Sequence, residues 1–219
     1  MHPQFWHERW RIGQIGFHQP MIEPELERHW PALGLRPQSR IFVPLCGKTL
    51  DLVWLRERGH EVLGVEISTI AIEAFCLENG VLARRRACDA DMDRFEADGY
   101  ALYRGDLFAL TLDDVRDVAG VYDRASLMSW PPELRSRYVD ALTRLTSTGA
   151  ITLLVVLEYA PSEMPGPPFS VSAVDLDALY GGNHSIGELS RRDILNNEPR
   201  LRAKGLTRLQ QVCYRLIRG

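Results

Sequence analysis

The run Ala150-Ile151-Thr152-Leu153-Leu154-Val155-Val156-Leu157 constrains the fold more than any other stretch of the chain. It is uncharged and apolar on both faces that a strand presents, so packing must cover both sides. A half-exposed antiparallel strand would alternate instead. The run is also far short of the ~20 residues needed to cross a bilayer as a helix. It predicts a buried central strand with helices on both faces, as in a doubly wound α/β sheet.

The rest of the chain supplies the other layers. Arg40 to Cys46 reads as a short buried strand that Pro44 brings to an end. Thr49 to Arg58 places Leu50, Val53 and Trp54 at helical spacing, with Leu52 and Leu55 as further candidates, and Gly59 suits the position past a helix end. Glu61 to Glu66 is a second strand. Ser68 can cap a helix that runs to Leu77 and closes at Asn79-Gly80. Strand–helix–strand–helix over residues 40–80 is the unit of a parallel sheet with crossover helices. Residues 101–105 and 118–123 are third and fourth strands. Pro131-Pro132 open a helix with the apolar stripe Leu134, Tyr138, Ala141, Leu142 and Leu145. Residues 82–100, polar and carrying Arg84-Arg85-Arg86, are expected to hold a helix end and an insertion. Pro161 to Phe169 is a stiff, proline-rich loop, and Leu176 lies in a short helix. Residues 186–189 and 209–217 are expected to add a final antiparallel pair. The whole reads as one domain, 1–219, with an N-terminal aromatic extension or lid (1–39) ahead of a mostly parallel Rossmann-like core (40–219).

Composition narrows the function classes. A net charge of −3 and a pI near 6.1 give no electrostatic reason for a nucleic-acid or membrane partner. The six Lys/Arg residues after Glu198 form a basic tail, but only Tyr214 could stack a base there. The four cysteines lie far apart, without CxxC, and the six histidines have no metal-like spacing, so no metal is expected. The segment MHPQFWHERWRIG is aromatic and charged, unlike a secretory leader. A cytoplasmic monomer with reduced thiols is expected.

In an open α/β sheet the ligand lies at the carboxyl ends of the strands, where their order reverses. The loops to consider are therefore Pro44 to Thr49, Glu66 to Ser68, Gly105 to Leu107 and Asp123-Arg124. Gly47-Lys48-Thr49 is similar to the end of a Walker A loop, but Phe42 stands where that motif needs glycine. GxGxxG is also missing, which disfavours the alternative of an NAD-binding oxidoreductase. Glu66 ends a strand 19 residues after Gly47, the offset at which an acid accepts hydrogen bonds from ribose hydroxyls. From spacing alone it is equally a solvated strand-end acid. Asp106 can meet an adenine amine, or merely close a Gly-Asp turn. One glycine, a ribose acid and no diphosphate fingerprint point to S-adenosylmethionine. That cofactor offers a carboxylate, an amine and a sulfonium instead of a phosphate.

Several segments then resemble one family. Trp6-His7-Glu8-Arg9-Trp10 with Gly13 and Phe17-His18-Gln19, Phe42 to Lys48, Gly59-His60 and Gly64 to Ser68 are similar to thiopurine S-methyltransferases of the bacterial branch. Tyr122-Asp123-Arg124-Ala125 and Gly166-Pro167-Pro168-Phe169 continue the match. The resemblance implies methyl transfer from S-adenosylmethionine to the sulfur of thiopurines and aromatic or heterocyclic thiols. It also implies that Trp10, Leu45, Glu66 and Arg124 contact the cofactor, with Trp6, Gly105 and Asp106 nearby. Bacterial members are associated with methylating selenium and tellurium compounds, so a metalloid acceptor and tellurite resistance are the alternative. Methyl transfer is an in-line displacement in which positioning outweighs a strong base. The acceptor's thiolate is the nucleophile. An arginine would stabilise that anion. Arg124, which shares its loop with Asp123, is the first candidate, and Arg200 or Arg202 in the basic tail is the second. A solvated face is an equal reading of the tail. Cys46 reads as a small buried residue more than as a nucleophile.

Overall fold

The computed structural model describes residues 3–89 and 91–219; residues 1 and 2 of the expected lid lie outside the described residues. The elements, in chain order, are α1 (Pro3–Arg11), α2 (Pro24–His29), β1 (Arg40–Pro44), α3 (Asp51–Glu57), β2 (Glu61–Glu66), α4 (Thr69–Glu78), β3 (Arg84–Asp89) and β4 (Met92–Ala97). They continue with β5 (Tyr100–Arg104), β6 (Val118–Arg124), α5 (Pro132–Leu145), β7 (Ile151–Glu158), α6 (Ala173–Tyr180), β8 (His184–Asp193), α7 (Pro199–Arg202) and β9 (Gln210–Arg218). One sheet runs β3-β4-β5-β2-β1-β6-β7-β9-β8. The central strands β5, β2, β1, β6 and β7 pair in parallel. Each end of the sheet carries an antiparallel pair, β3-β4 and β9-β8, joined antiparallel to the core.

Alternation along each buried strand sends successive residues into two separate cores. Phe42, Val121, Leu154 and Val156 meet Tyr138, Leu142 and Leu145 of α5 and Leu176 and Tyr180 of α6. Ile41, Val43, Leu153 and Val155 meet Leu52 and Leu55 of α3 and Ile72 and Phe75 of α4. Helices thus cover both faces, which is why residues 150–157 tolerate no charge. Leu26, Trp30 and Leu33 are buried in the second core, so this stretch of the N-terminal extension packs on the sheet itself. Among the described residues, no helix is long and apolar enough to cross a membrane.

The expectation of a helix end and insertion over residues 82–100 is corrected: β3 and β4 form an antiparallel hairpin with β5. Charge hid the strand pattern. Asp93 pairs with Arg85 and Arg104, and Glu96 with Arg86 and Arg94, so ion pairs run on both faces of the hairpin. Met92, Asp93 and Phe95 are the buried residues of β4, with Met92 in the first core and Phe95 in the second, on opposite faces of the strand. The arginines on β3 also blunt an otherwise open sheet edge.

Candidate functional site

β1 and β6 are neighbours, yet the chain goes from β1 to β2 on one side and reaches β6 on the other. Their carboxyl ends therefore flank the point where strand order reverses. Backbone strain collects there. Leu45 after β1 has φ 46°, and Ala125 after β6 has φ 66°, both left-handed and without glycine's freedom. Such residues cost of order 1–3 kcal/mol each and persist where the surroundings hold them. Both line a cavity of about 210 Å³ at this edge of the sheet.

Glu66 sits at the tip of β2 and is buried. Its Oε2 accepts the Gly47 N–H at 3.0 Å and its Oε1 accepts the Ser68 N–H at 2.8 Å. Burial pushes its carboxyl up to about 7, against the opposing pull of the N–H groups of Ser68, Gly47 and Ile67. Ser68 stands at the N-cap position of α4, but its hydroxyl makes no capping bond; the expected cap is replaced by this N–H contact to Glu66. Gly47 has φ 55°, and a Cβ there would come within 3.2 Å of Trp10 Cζ2. Glycine is needed for both the turn and the close approach of the indole. Phe17 meets Trp6 and Trp10 edge-to-face at 5.5 Å each, so the three rings form one continuous wall. Cys46 is buried with its Sγ where a side chain on Gly64 would stand, and burial and Glu66 push its thiol well up. It fills space and is no nucleophile.

The other strand tips complete the cavity. Gly105 donates its N–H to the Glu66 carbonyl at 3.0 Å. Asp106 is exposed, and its Oδ1 accepts the Phe108 N–H at 3.0 Å, closing a short turn while lining the cavity. Asp123 does not share the work of Arg124. It is fully buried, accepting from Tyr138 Oη at 2.7 Å and from the Leu127 N–H at 3.2 Å, and burial pushes its carboxyl up to about 6. Its role is to join α5 to the end of β6. Arg124 instead donates from Nη1 to the Phe17 carbonyl at 3.1 Å and lies 3.4 Å from Glu23 through Nε.

Trp6, Trp10, Leu45, Glu66, Gly105, Asp106 and Arg124 thus line one cavity. Arg200 does not. It lies on a second, roomier cavity that shares Trp6, Phe17, Arg124, Ala125 and Ser129 with the first. Arg9, Arg192 and Lys204 line this second space, and a side chain on Gly16 would collide with the Arg200 guanidinium. The second cavity is strongly basic.

Five further residues carry no signal in the sequence. His18 lines the first cavity, with its pKa lowered by burial and by Lys48, and so do Trp130 and Arg137. Glu23, the partner of Arg124, lines the second. Arg135 lies buried in α5, where an apolar stripe was expected, and donates to the carbonyls of Trp130 and Ser170 at 3.2 and 2.7 Å, anchoring the end of the proline loop. No spacing signal marks these residues; their partners are far away in the chain. Potential metal-ligand atoms of Glu25, His29 and Cys213 lie within 4.8 Å of one another. Glu25 already faces Arg28, Arg192, His29 and Ser190, and the Cys213 thiol is pushed up to about 12 by burial, so a cation there would displace two arginines.

The family model described as thiopurine S-methyltransferase matches residues 1–219. A thiopurine S-methyltransferase from Nitrosospira multiformis is 45% identical over 217 residues, covering 99% of this chain and 98% of the relative. One from Methylococcus capsulatus is 46% identical over 214 residues, covering 98% and 96%. Among solved structures, an S-adenosylmethionine-dependent methyltransferase from Geobacter sulfurreducens, in complex with S-adenosyl-L-homocysteine, superposes with a TM-score of 0.62 at 18% identity, covering 90% of this chain and 92% of that one. That likeness concerns the fold.

Proposed function

The chain belongs to the thiopurine S-methyltransferase family, and from that premise we propose that it transfers the methyl group of S-adenosylmethionine to the sulfur of thiopurines and related aromatic or heterocyclic thiols. The observation that carries this reading is the juxtaposition of Glu66 with the Gly47 turn beneath the Trp6–Phe17–Trp10 wall. The turn has no series of glycines to cradle a diphosphate, whereas a carboxylate held by two N–H groups keeps lone pairs for a pair of ribose hydroxyls. The site therefore fits a nucleoside whose other end is an amino acid. Glu66 would take the ribose, Asp106 and Gly105 the base side, and Leu45, Trp10, Trp6 and Arg124 the methionine side. S-adenosylmethionine supplies the methyl group already activated on a sulfonium.

The protein's part is then to bind, orient and exclude water. The aromatic wall closes the first cavity from the N-terminal side, and the shared boundary at Arg124, Ala125 and Ser129 opens onto the basic second cavity. An acceptor entering as a thiolate meets Arg124 at this boundary and Arg200 farther out. An aromatic thiol is acidic enough to arrive as the anion, so a dedicated base is not required. Calorimetry tests the donor half of this reading. S-adenosylhomocysteine should bind, and NAD and ATP should not; saturable NAD binding with no response to S-adenosylhomocysteine would move the chain to the dehydrogenase class.

A further inference from the structure

Arg124 is not free to point anywhere: the Phe17 carbonyl holds Nη1 and one buried acid faces Nε. We propose that Glu23 is the positioning residue of the acceptor site, holding the Nε edge of Arg124 so that the rest of the guanidinium faces the two cavities. This rests on the reading of Arg124 as the arginine that meets the thiolate.

Three observations support it. Glu23 is 5% exposed and lines the second cavity, with Oε2 3.4 Å from Arg124 Nε. Its Oε1 caps the helix that Glu23 itself precedes, accepting the Glu25 N–H of α2 at 3.3 Å, and is fixed from β9 by Gln211 Nε2 at 3.1 Å. Its backbone N–H donates to Asp51 Oδ1 at 2.8 Å, and Asp51 Oδ2 accepts Tyr122 Oη at 2.9 Å. Tyr122 and Arg124 are two residues apart on β6 and project on the same side. The chain Arg124–Glu23–Asp51–Tyr122 therefore leaves β6 and returns to it, so the acid is fixed relative to the strand that carries the arginine. A side chain tethered at one end only would not hold a direction.

Capping α2 occupies Oε1 of this acid and does not account for Oε2, which faces Arg124. Burial raises the Glu23 carboxyl, Arg124 lowers it, and Asp51 and Glu25 raise it again. A buried ion pair surrounded by further acids contributes little to folding compared with an apolar residue of similar size. What the arrangement supplies is direction. With Nε turned to Glu23 and Nη1 to the Phe17 carbonyl, the guanidinium plane is set before an acceptor arrives.

The test is a double-mutant cycle between Glu23 and Arg124, read by steady-state kinetics with an aromatic thiol and by calorimetric titration of thiophenolate into the S-adenosylhomocysteine complex. Glu23→Ala should raise KM for the thiol and weaken thiophenolate binding by about tenfold, a larger loss than the accompanying fall in S-adenosylhomocysteine affinity. Glu23→Gln keeps an oxygen for the Nε–H and should restore most of the loss. Glu23→Asp keeps the charge but shortens the reach, and should behave like the alanine variant. In an Arg124→Ala background, Glu23→Ala should have no further effect on the acceptor. Equal losses in both backgrounds, or a lowered Tm with unchanged thiophenolate affinity, would make Glu23 a structural residue only. Wild-type constants in Glu23→Ala with impaired Arg124→Ala would overturn the positioning role alone, and wild-type constants in Arg124→Ala would remove the acceptor reading itself.

Discussion

Arg124→Ala is expected to lower kcat/KM for an aromatic thiolate by roughly a hundredfold, the equivalent of losing a charge-assisted contact to a desolvated anion. Its side chain is only 15% exposed and lies on the boundary shared by the two cavities, so water replaces it poorly. Arg124→Lys keeps the charge but cannot meet Glu23, the Phe17 carbonyl and an acceptor with one planar group. It should fall between alanine and wild type. Both variants should also weaken S-adenosylhomocysteine binding, since Arg124 lines the methionine side of the first cavity, but by less than they lower kcat/KM for the thiolate. Measuring kcat, KM for both substrates and the calorimetric affinity separates the roles: a fall confined to cofactor binding would place Arg124 on the donor alone. Wild-type values throughout would leave it a surface charge and move the acceptor role to Arg200.

Glu66→Gln is expected to weaken S-adenosylhomocysteine binding by roughly 1–3 kcal/mol at alkaline pH, since a charged acceptor of two hydroxyl donors becomes neutral. The pH dependence is the sharper readout. The folded carboxyl lies near 7, well above its ordinary 4.5, because burial disfavours the ionised form. Ribose hydroxyls donate best to that ionised form, so wild-type affinity should climb between about pH 6 and 8, with a proton released on binding. The same shift acts on the ligand-free fold. A raised carboxyl contributes stability that is fully present below 4.5 and is lost as pH rises through about 7. The ligand-free protein should therefore lose stability across that window, and the glutamine variant should lack the binding slope and the Glu66 share of the stability slope, while Asp123, pushed up to about 6, keeps its own. Identical pH profiles in the two proteins would contradict the assignment. Neighbouring Cys46 does not confuse the result, since its thiol titrates well above this range.

The parts of this account that were legible in the sequence share one property: their signal is local. The apolar run 150–157, the helix stripe after Pro131-Pro132 and the 19-residue offset from Gly47 to Glu66 each lie within one or two elements. The run forms β7 and Gly47 meets Glu66, while the stripe holds from Tyr138 onward, with Leu134 half-buried and Arg135 buried beside it. The hairpin β3-β4 was hidden because its outward positions are filled by paired charges, which read as a polar insertion when taken singly. Asp123 neighbours Arg124 in the sequence, whereas alternation along β6 turns it to the opposite face and onto Tyr138. Glu23 had no signal. Its partners lie 28, 101 and 188 positions away, at Asp51, Arg124 and Gln211, and only the folded sheet brings them together. Arg200 was chosen for its charge, and the fold puts it on the outer cavity.

The central claim is that methyl goes to sulfur. A matched series of thiophenol, phenol and aniline, each incubated with S-adenosylmethionine carrying an isotopically labelled methyl group, tests it by mass spectrometry. The account predicts labelled methyl phenyl sulfide with one equivalent of S-adenosylhomocysteine, and no labelled ether or N-methyl product. The labelled ether or amine forming faster than the sulfide would contradict it.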